Sequence, residues 1–177
     1  MKRVIYAAYG SNLLKERFEA YIYGRRFRGV RYEGSRDKTP PVDRGWIIVP
    51  RFVYFAKNSR KWGGGGVAFL SSEPIEDCSL WSVVRLWEVS EMQFEDIWKQ
   101  ENSAKTLEEA KNGWYGRIIT LGEIDGLEIK TFTGDWLDEK NPPSAKYLEI
   151  VKEGLLETTR WSRKEIETYW RSRLAFC

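Results

Sequence analysis

Apolar residues alternate with polar ones, or run on for a few positions, in several short stretches bounded by glycine, proline or charge. The pattern predicts strands near Val4–Tyr9, Arg26–Tyr32, Trp46–Ala56, Val67–Leu70, Leu80–Trp87, Tyr115–Leu121 and Leu127–Thr133. The last two flank Glu123-Ile124-Asp125-Gly126, and Asp-Gly between apolar runs predicts a hairpin turn. Helical spacing takes over elsewhere. Ser90 with Gln93, and Ser162 with Glu165, form capping-box patterns ahead of apolar faces. A further helix starts after Asn141-Pro142-Pro143-Ser144 and carries Tyr147, Leu148, Val151 and Leu155 on one side. The stretch from Gly34 to Gly45, with Pro40-Pro41 and its charges, reads as a loop. With no internal repeat and no linker, the expectation is one α+β domain over residues 1–177, rich in strands. Residues 158–177 form a C-terminal helical extension, whose Ile166, Tyr169, Trp170 and Arg173 make an amphipathic face that covers its own domain or else a partner.

Two places carry more than scaffold information. At the first, Val4, Ile5 and Tyr6 are strand formers, Gly10 breaks the strand, and Ser11 and Asn12 are N-cap residues for a helix reaching about Phe18 or Tyr21. Such a turn presents unpaired N–H groups at the positive end of a helix, which favours a carboxylate or phosphate ligand. It also serves as an ordinary capped turn with no ligand. At the second, Phe94, Ile97 and Trp98 mark the apolar stripe of the helix after Ser90, and the next position on that stripe is Glu101. A carboxylate there gives up solvation, a condition that suits it to proton transfer near neutral pH. Alternatively the helix ends at Glu101 and the side chain points to solvent beside Asn102 and Ser103.

Composition narrows the chemistry. The chain has 177 residues, 42% hydrophobic and 15% aromatic, enough for a sizeable core. No apolar run reaches 18 residues, and Met1-Lys2-Arg3 leads into a strand without a signal-peptide pattern, so no membrane segment and a cytoplasmic location are expected. Only Cys78 and Cys177 are present, which suggests no disulfide framework. Acidic neighbours disfavour a thiolate at Cys78, and Cys177 ends the chain. There is no histidine. That excludes Ser-His-Asp and Cys-His arrangements and the usual zinc sites, and leaves carboxylates, lysine, tyrosine or an amine for acid–base work. Residues 1–72 hold 15 Lys and Arg against 5 Asp and Glu, whereas residues 73–177 hold 14 against 21. The basic residues around Arg25, Arg26, Arg28 and Arg31 suit nucleic acid or an acidic ligand, or else the fold lays the basic half against the acidic half.

Tyr9-Gly10-Ser11-Asn12-Leu13 at the end of a first strand resembles the signature of the γ-glutamylcyclotransferase-like family. The stretch from Leu80 to Val89, a helix, and then Lys99-Gln100-Glu101 is similar to that family's strand–helix–Gln-Glu segment, with Asn102 where members commonly have glycine. Phe55–Ser59 followed by Trp62-Gly63-Gly64-Gly65-Gly66 resembles its glycine-rich entry to the next strand, although four glycines equally make a plain loop. Gly113-Trp114-Tyr115 and Pro143–Tyr147 resemble segments whose tyrosines line the pocket, and as residues alone Tyr115 and Tyr147 also suit a core edge. The matches run in order from Val4 to about Gly154. The resemblance implies a small mixed β-barrel with packed helices. It implies a small-molecule γ-glutamyl substrate held by Tyr9, Gly10, Ser11, Asn12, Leu13, Tyr115 and Tyr147, with Glu101 as catalytic acid–base residue and no metal or organic cofactor. The product is 5-oxoproline and a released amine. Two other readings stand beside it: a non-catalytic ligand-binding module on the same fold, and a nucleic-acid-binding protein using the basic residues between Arg25 and Lys61.

Overall fold

The computed structural model describes residues 1–176; Cys177, set aside above as a nucleophile, lies outside them. The elements are, in chain order, β1 (Arg3–Ala8), α1 (Lys15–Tyr23), β2 (Arg26–Phe27), β3 (Val30–Arg31), β4 (Val42–Val49), β5 (Val53–Ala56), β6 (Val67–Leu70), β7 (Ser82–Ser90), α2 (Glu91–Glu101), α3 (Leu107–Lys111), β8 (Arg117–Ile124), β9 (Leu127–Thr133), α4 (Ala145–Thr158) and α5 (Arg163–Leu174). The architecture is the expected α+β.

Five strands make the main sheet, in the order β4-β7-β1-β9-β8. Its middle strand, β1, is a continuous apolar run, as a strand covered on both faces must be. It pairs antiparallel with β7 (Ala8 opposite Arg85) and parallel with β9 (Ile5 opposite Ile129). Where β1 stops, β7 and β9 continue, and the β5–β6 ribbon docks against their ends through side chains. The Ser82 hydroxyl on β7 accepts the Val53 N–H, and the Thr133 hydroxyl on β9 both accepts from the Leu70 N–H and donates to its carbonyl. The expected barrel therefore takes the form of an open sheet and a separate ribbon joined by hydroxyl seams; among the described residues the backbone ladder does not close.

Three local expectations change. The predicted strand Trp46–Ala56 is two strands in different sheets, parted at Pro50-Arg51, because proline supplies no N–H to continue the ladder. The first of them starts at Val42, inside the expected loop. Arg26–Tyr32 is a two-residue hairpin that reverses at Arg28-Gly29, both at positive φ. Both predicted capping boxes form, at Ser90 with Gln93 and at Ser162 with Glu165.

The C-terminal helix packs on its own domain. Trp170 is fully buried against Phe55, the Tyr169 hydroxyl accepts the Val83 N–H, and Arg173 donates to the carbonyls of Leu80 and Trp81. The uneven charge is folded back on itself. Arg28 pairs with Glu153, Arg36 with Asp96, Arg44 with Asp125 and Lys57 with Glu139, each joining the basic half to the acidic half. No helix among the described residues is long and apolar enough to cross a membrane.

Candidate active site

The turn after β1 is where the chain leaves the sheet. Ser11–Leu13 makes one 3-10 turn, and α1 begins two to three residues later than a cap at Asn12 or Ser11 suggests, with Leu14 at its N-cap and no side-chain cap. Ser11 and Asn12 are therefore buried within the turn and do not cap α1. The reason lies in what claims Asn12. Its side-chain nitrogen donates to Glu101 Oε1 at 2.8 Å and to the Tyr6 hydroxyl at 3.1 Å. A carboxylate only accepts, which fixes the orientation of the Asn12 amide. Its oxygen Oδ1 is buried and has no hydrogen-bond partner in the structure.

Glu101 is the last residue of α2, half-buried, and turned toward the Tyr9–Asn12 turn instead of out to solvent. The residues on either side of it are fasteners. Gln100 donates to the Tyr21 carbonyl and accepts the Gly34 N–H, tying the helix end to α1 and the following loop. Asn102, in the position where a glycine is common, accepts the Tyr115 N–H at 2.8 Å and donates to the Trp98 carbonyl. Asparagine here secures the 113–115 segment to the end of α2.

Behind the turn lies a small recess walled by Tyr6, Tyr9, Gly10, Asn12, Tyr115 and Tyr147. Tyr9 donates to the Phe132 carbonyl and Tyr115 to the Ala68 carbonyl, while Tyr147 accepts the Ala68 N–H. Burial pushes the Tyr147 hydroxyl up to about 12, although the Ala68 and Ser11 amides temper the rise. Burial, with the Glu101 charge second, drives the Tyr6 hydroxyl far up. These phenols stay protonated at neutral pH. Gly10 passes so close that a Cβ would sit 3.0 Å from the Tyr147 oxygen and 3.2 Å from Ala68 Cβ. The opposite side of the turn is held equally closely: a Cβ on Gly154 of α4 would lie 2.7 Å from both Leu13 Cβ and the Leu14 nitrogen.

The recess opens past Glu101 into a cavity of about 610 Å³. Ser11, Glu101, Tyr115 and Tyr147 line both spaces, so the carboxylate stands at their junction. Of the residues expected at the site, Tyr9, Gly10, Ser11, Asn12, Glu101, Tyr115 and Tyr147 come together. Leu13 does not. Its side chain is fully buried against α4, away from both spaces, and its carbonyl is taken by Arg85. Three residues at the site were missed: Tyr6, Arg17 and Lys61. Arg17 carried a readable signal, since it falls between Leu14 and Tyr21 on the buried stripe of α1, as Glu101 does on α2.

No family model matches the chain. The chain is 30% identical over 155 residues to a gamma-glutamylcyclotransferase of Bos taurus, covering 86% of this chain and 70% of that protein. It is also 30% identical over 199 residues to histone deacetylase 5 of Arabidopsis thaliana, covering 94% of this chain, which spans only 30% of that protein's length. Among solved structures, a gamma-glutamyl cyclotransferase superposes with a TM-score of 0.65 at 18% identity, over 94% of this chain and 87% of the other. YkqA of Bacillus subtilis superposes at 0.59 and 16% identity, over 98% of this chain and 55% of that one. These superpositions establish a shared fold.

Proposed function

The chain belongs to the γ-glutamylcyclotransferase family, and from that premise we propose that it converts a γ-glutamyl amide into 5-oxoproline and a free amine. The reaction is an acyl transfer within one molecule. The substrate's own α-amine attacks its γ-carbonyl, Glu101 accepts a proton from that amine, and the carbon–nitrogen bond to the leaving amine breaks as Glu101 returns the proton. Atoms balance with no added water and no change of oxidation state.

The observation that carries this reading is the position of Glu101 at the junction of recess and cavity, held by Asn12 within the Tyr9–Asn12 turn. A carboxylate there touches the bond between the glutamyl half and the leaving half. The unpartnered Asn12 Oδ1 supports the same reading, because it offers an acceptor for a second proton of the substrate ammonium next to Glu101. The Leu13 and Leu14 amides are bonded within the turn and that of Ser11 to Tyr147, which leaves the Gly10 and Asn12 amides for a developing oxyanion, each such donor worth about 3 kcal/mol. Tethering supplies more: a well-oriented intramolecular attack contributes ~7–11 kcal/mol. So light a set of groups is adequate because the nucleophile arrives with the substrate.

Mass spectrometry on a panel of γ-glutamyl compounds tests the proposal. The expected products are 5-oxoproline and one equivalent of amine, and an N-acetylated substrate is inert because its amide nitrogen is a poor nucleophile. Free glutamate in place of 5-oxoproline would make water the nucleophile and overturn the mechanism. No product from any compound would favour a ligand-binding role for the same pocket.

A further inference from the structure

Arg17 is 1% exposed, yet no carboxylate pairs with it among the described residues. Its guanidinium lies 4.2 Å from the ring centre of Tyr21 and 4.4 Å from that of Tyr32, and Nη2 donates to the Tyr21 hydroxyl at 2.6 Å. Two nitrogens, Nε and Nη1, are buried without any acceptor. Burial costs the guanidinium its water; Tyr21, the Glu101 charge and Tyr32 offset that cost and keep it charged, but they leave Nε and Nη1 open. The residue also lines the 610 Å³ cavity. Lys61 stands over the same Tyr32 ring, with its nitrogen 4.4 Å from the ring centre, and lines the cavity beside Arg60. Glu101 is the only acidic residue in that lining.

We propose that Arg17 and Lys61 form an anion-binding subsite that reads a negatively charged group on the amine half of the substrate. The inference rests on the cyclotransferase reading, which places the scissile bond at Glu101. The recess, of about 30 Å³, admits only a small polar end of the glutamyl half, so the substrate extends from Glu101 into the cavity that holds Arg17. A carboxylate or phosphate on the amine half supplies the acceptors that Nε and Nη1 lack. Arginine suits the task, since its charge is permanent and its planar donors match either anion. The aromatic rings of Tyr21 and Tyr32 fix the guanidinium plane, so little side-chain freedom is lost on binding. Lys61 reinforces the field from the cavity rim. The subsite thus selects among γ-glutamyl amides by the charge of what is released.

Three substrates with a common γ-glutamyl half test the proposal: γ-glutamyl-alanine and γ-glutamyl-alaninamide, which differ only in the carboxylate, and γ-glutamyl-phosphoethanolamine, which presents a phosphate on an unbranched chain. The expected result is a kcat/KM at least tenfold higher for one of the two anionic compounds than for the alaninamide, and the faster of the two identifies the anion. Arg17→Met is expected to cut kcat/KM for the preferred anion at least tenfold more than for the alaninamide, mainly through KM. Lys61→Met gives a smaller loss of the same kind and serves if Arg17→Met does not fold. Equal use of all three compounds by the unmodified protein overturns the subsite, and so does a proportional loss on every substrate in both variants. If no compound turns over, the cyclotransferase reading has failed, and calorimetric titration with the same three compounds still decides the subsite. Binding that ignores the anionic group would sink it.

Discussion

Asn12 and Glu101 lie 89 positions apart in sequence and share a hydrogen bond of 2.8 Å that joins the turn after β1 to the end of α2. Neither element alone makes a site. The contact holds the turn and the Glu101 carboxylate at a fixed distance from one another.

Glu101→Gln keeps the size of the side chain and removes its ability to carry a proton back and forth. Turnover is expected to fall by about 10²–10⁴ with circular dichroism and ligand affinity retained. Undiminished 5-oxoproline formation by a folded variant would remove Glu101 from the mechanism.

Asn12→Asp replaces the donor with a carboxylate at a buried position next to Glu101. Two carboxylates at that distance cannot both ionise cheaply, so the pair holds a proton to higher pH than either would alone. The acidic limb of the kcat/KM profile is expected to move up by about one pH unit or more, together with a loss of stability. A variant with full activity and an unmoved profile would show that the contact does not matter.

Gly10→Ala places a methyl group against the Tyr147 hydroxyl and Ala68. Substrate binding is expected to weaken, and Gly10→Val to abolish it. Tyr147→Phe removes the oxygen in the way, at a cost of about 1 kcal/mol for the Ala68 N–H bond it forfeits. The double variant Gly10→Ala/Tyr147→Phe should then lose less than the two single losses together, by about 0.5–3 kcal/mol. Strict additivity of the three binding free energies would mean that the two positions do not press on one another.

Gly154→Ala tests the other side of the same turn. The added carbon meets the Leu14 backbone, which cannot swing aside, and overpacking of this kind costs about 1–3 kcal/mol. A lower Tm and a higher KM are expected together, whereas the exposed Leu156→Ala on the same helix stays within about 0.5 kcal/mol. Thermal melts and steady-state kinetics on both variants give the comparison.

Lys61 gives a pH signature. Though the residue is exposed at the rim, desolvation of its ammonium first, and the Arg17 charge second, pull it down to about 8 against the opposing pull of Glu101; it also faces the rings of Tyr32, itself pushed up to about 12 by burial, and of Tyr21, which burial drives well up. The lysine is charged below that value and neutral above it. For a substrate with an anionic leaving half, kcat/KM should therefore fall as pH rises through about 8, and the alaninamide should lack that component. Lys61→Arg keeps its charge and should flatten the limb. A limb that survives in Lys61→Arg belongs to some other group.

Much of this was legible in the chain because two signals coincide with their physical causes. Glu101 interrupts an apolar stripe, and the interruption turns its carboxylate to the Tyr9–Asn12 turn and the cavity. Arg17 interrupts the stripe of α1 in the same manner, but the turn-capping pattern at Ser11 and Asn12 placed the helix start too early and hid the register. That pattern failed because Asn12 bonds a residue far along the chain, a tertiary demand that outweighs local capping. Tyr6 was hidden by its neighbours, since a tyrosine in an apolar strand has no local mark of the asparagine it will meet. Pro50 was visible, but only the separate pairing of β4 with β7 and of β5 with β6 shows that it divides two sheets. Leu13 belongs to the signature string, and its role is to brace the turn from within the core.

The placement of β1 in the centre of the sheet has a consequence for how the protein comes into being on the ribosome. Its partners, β7 and β9, are reached 87 and 124 residues after it is made, from the pairings Arg3 with Ser90 and Ile5 with Ile129, and the turn it leads to is braced by α4, later still. An apolar β1 therefore waits without either partner until β7 is made, and with one edge open until β9 follows. Contacts of such separation form slowly and leave strand edges open meanwhile. Stalled nascent chains that end before α4 should be protease-sensitive throughout and unable to retain a γ-glutamyl ligand, with protection and binding arriving together once α4 has emerged.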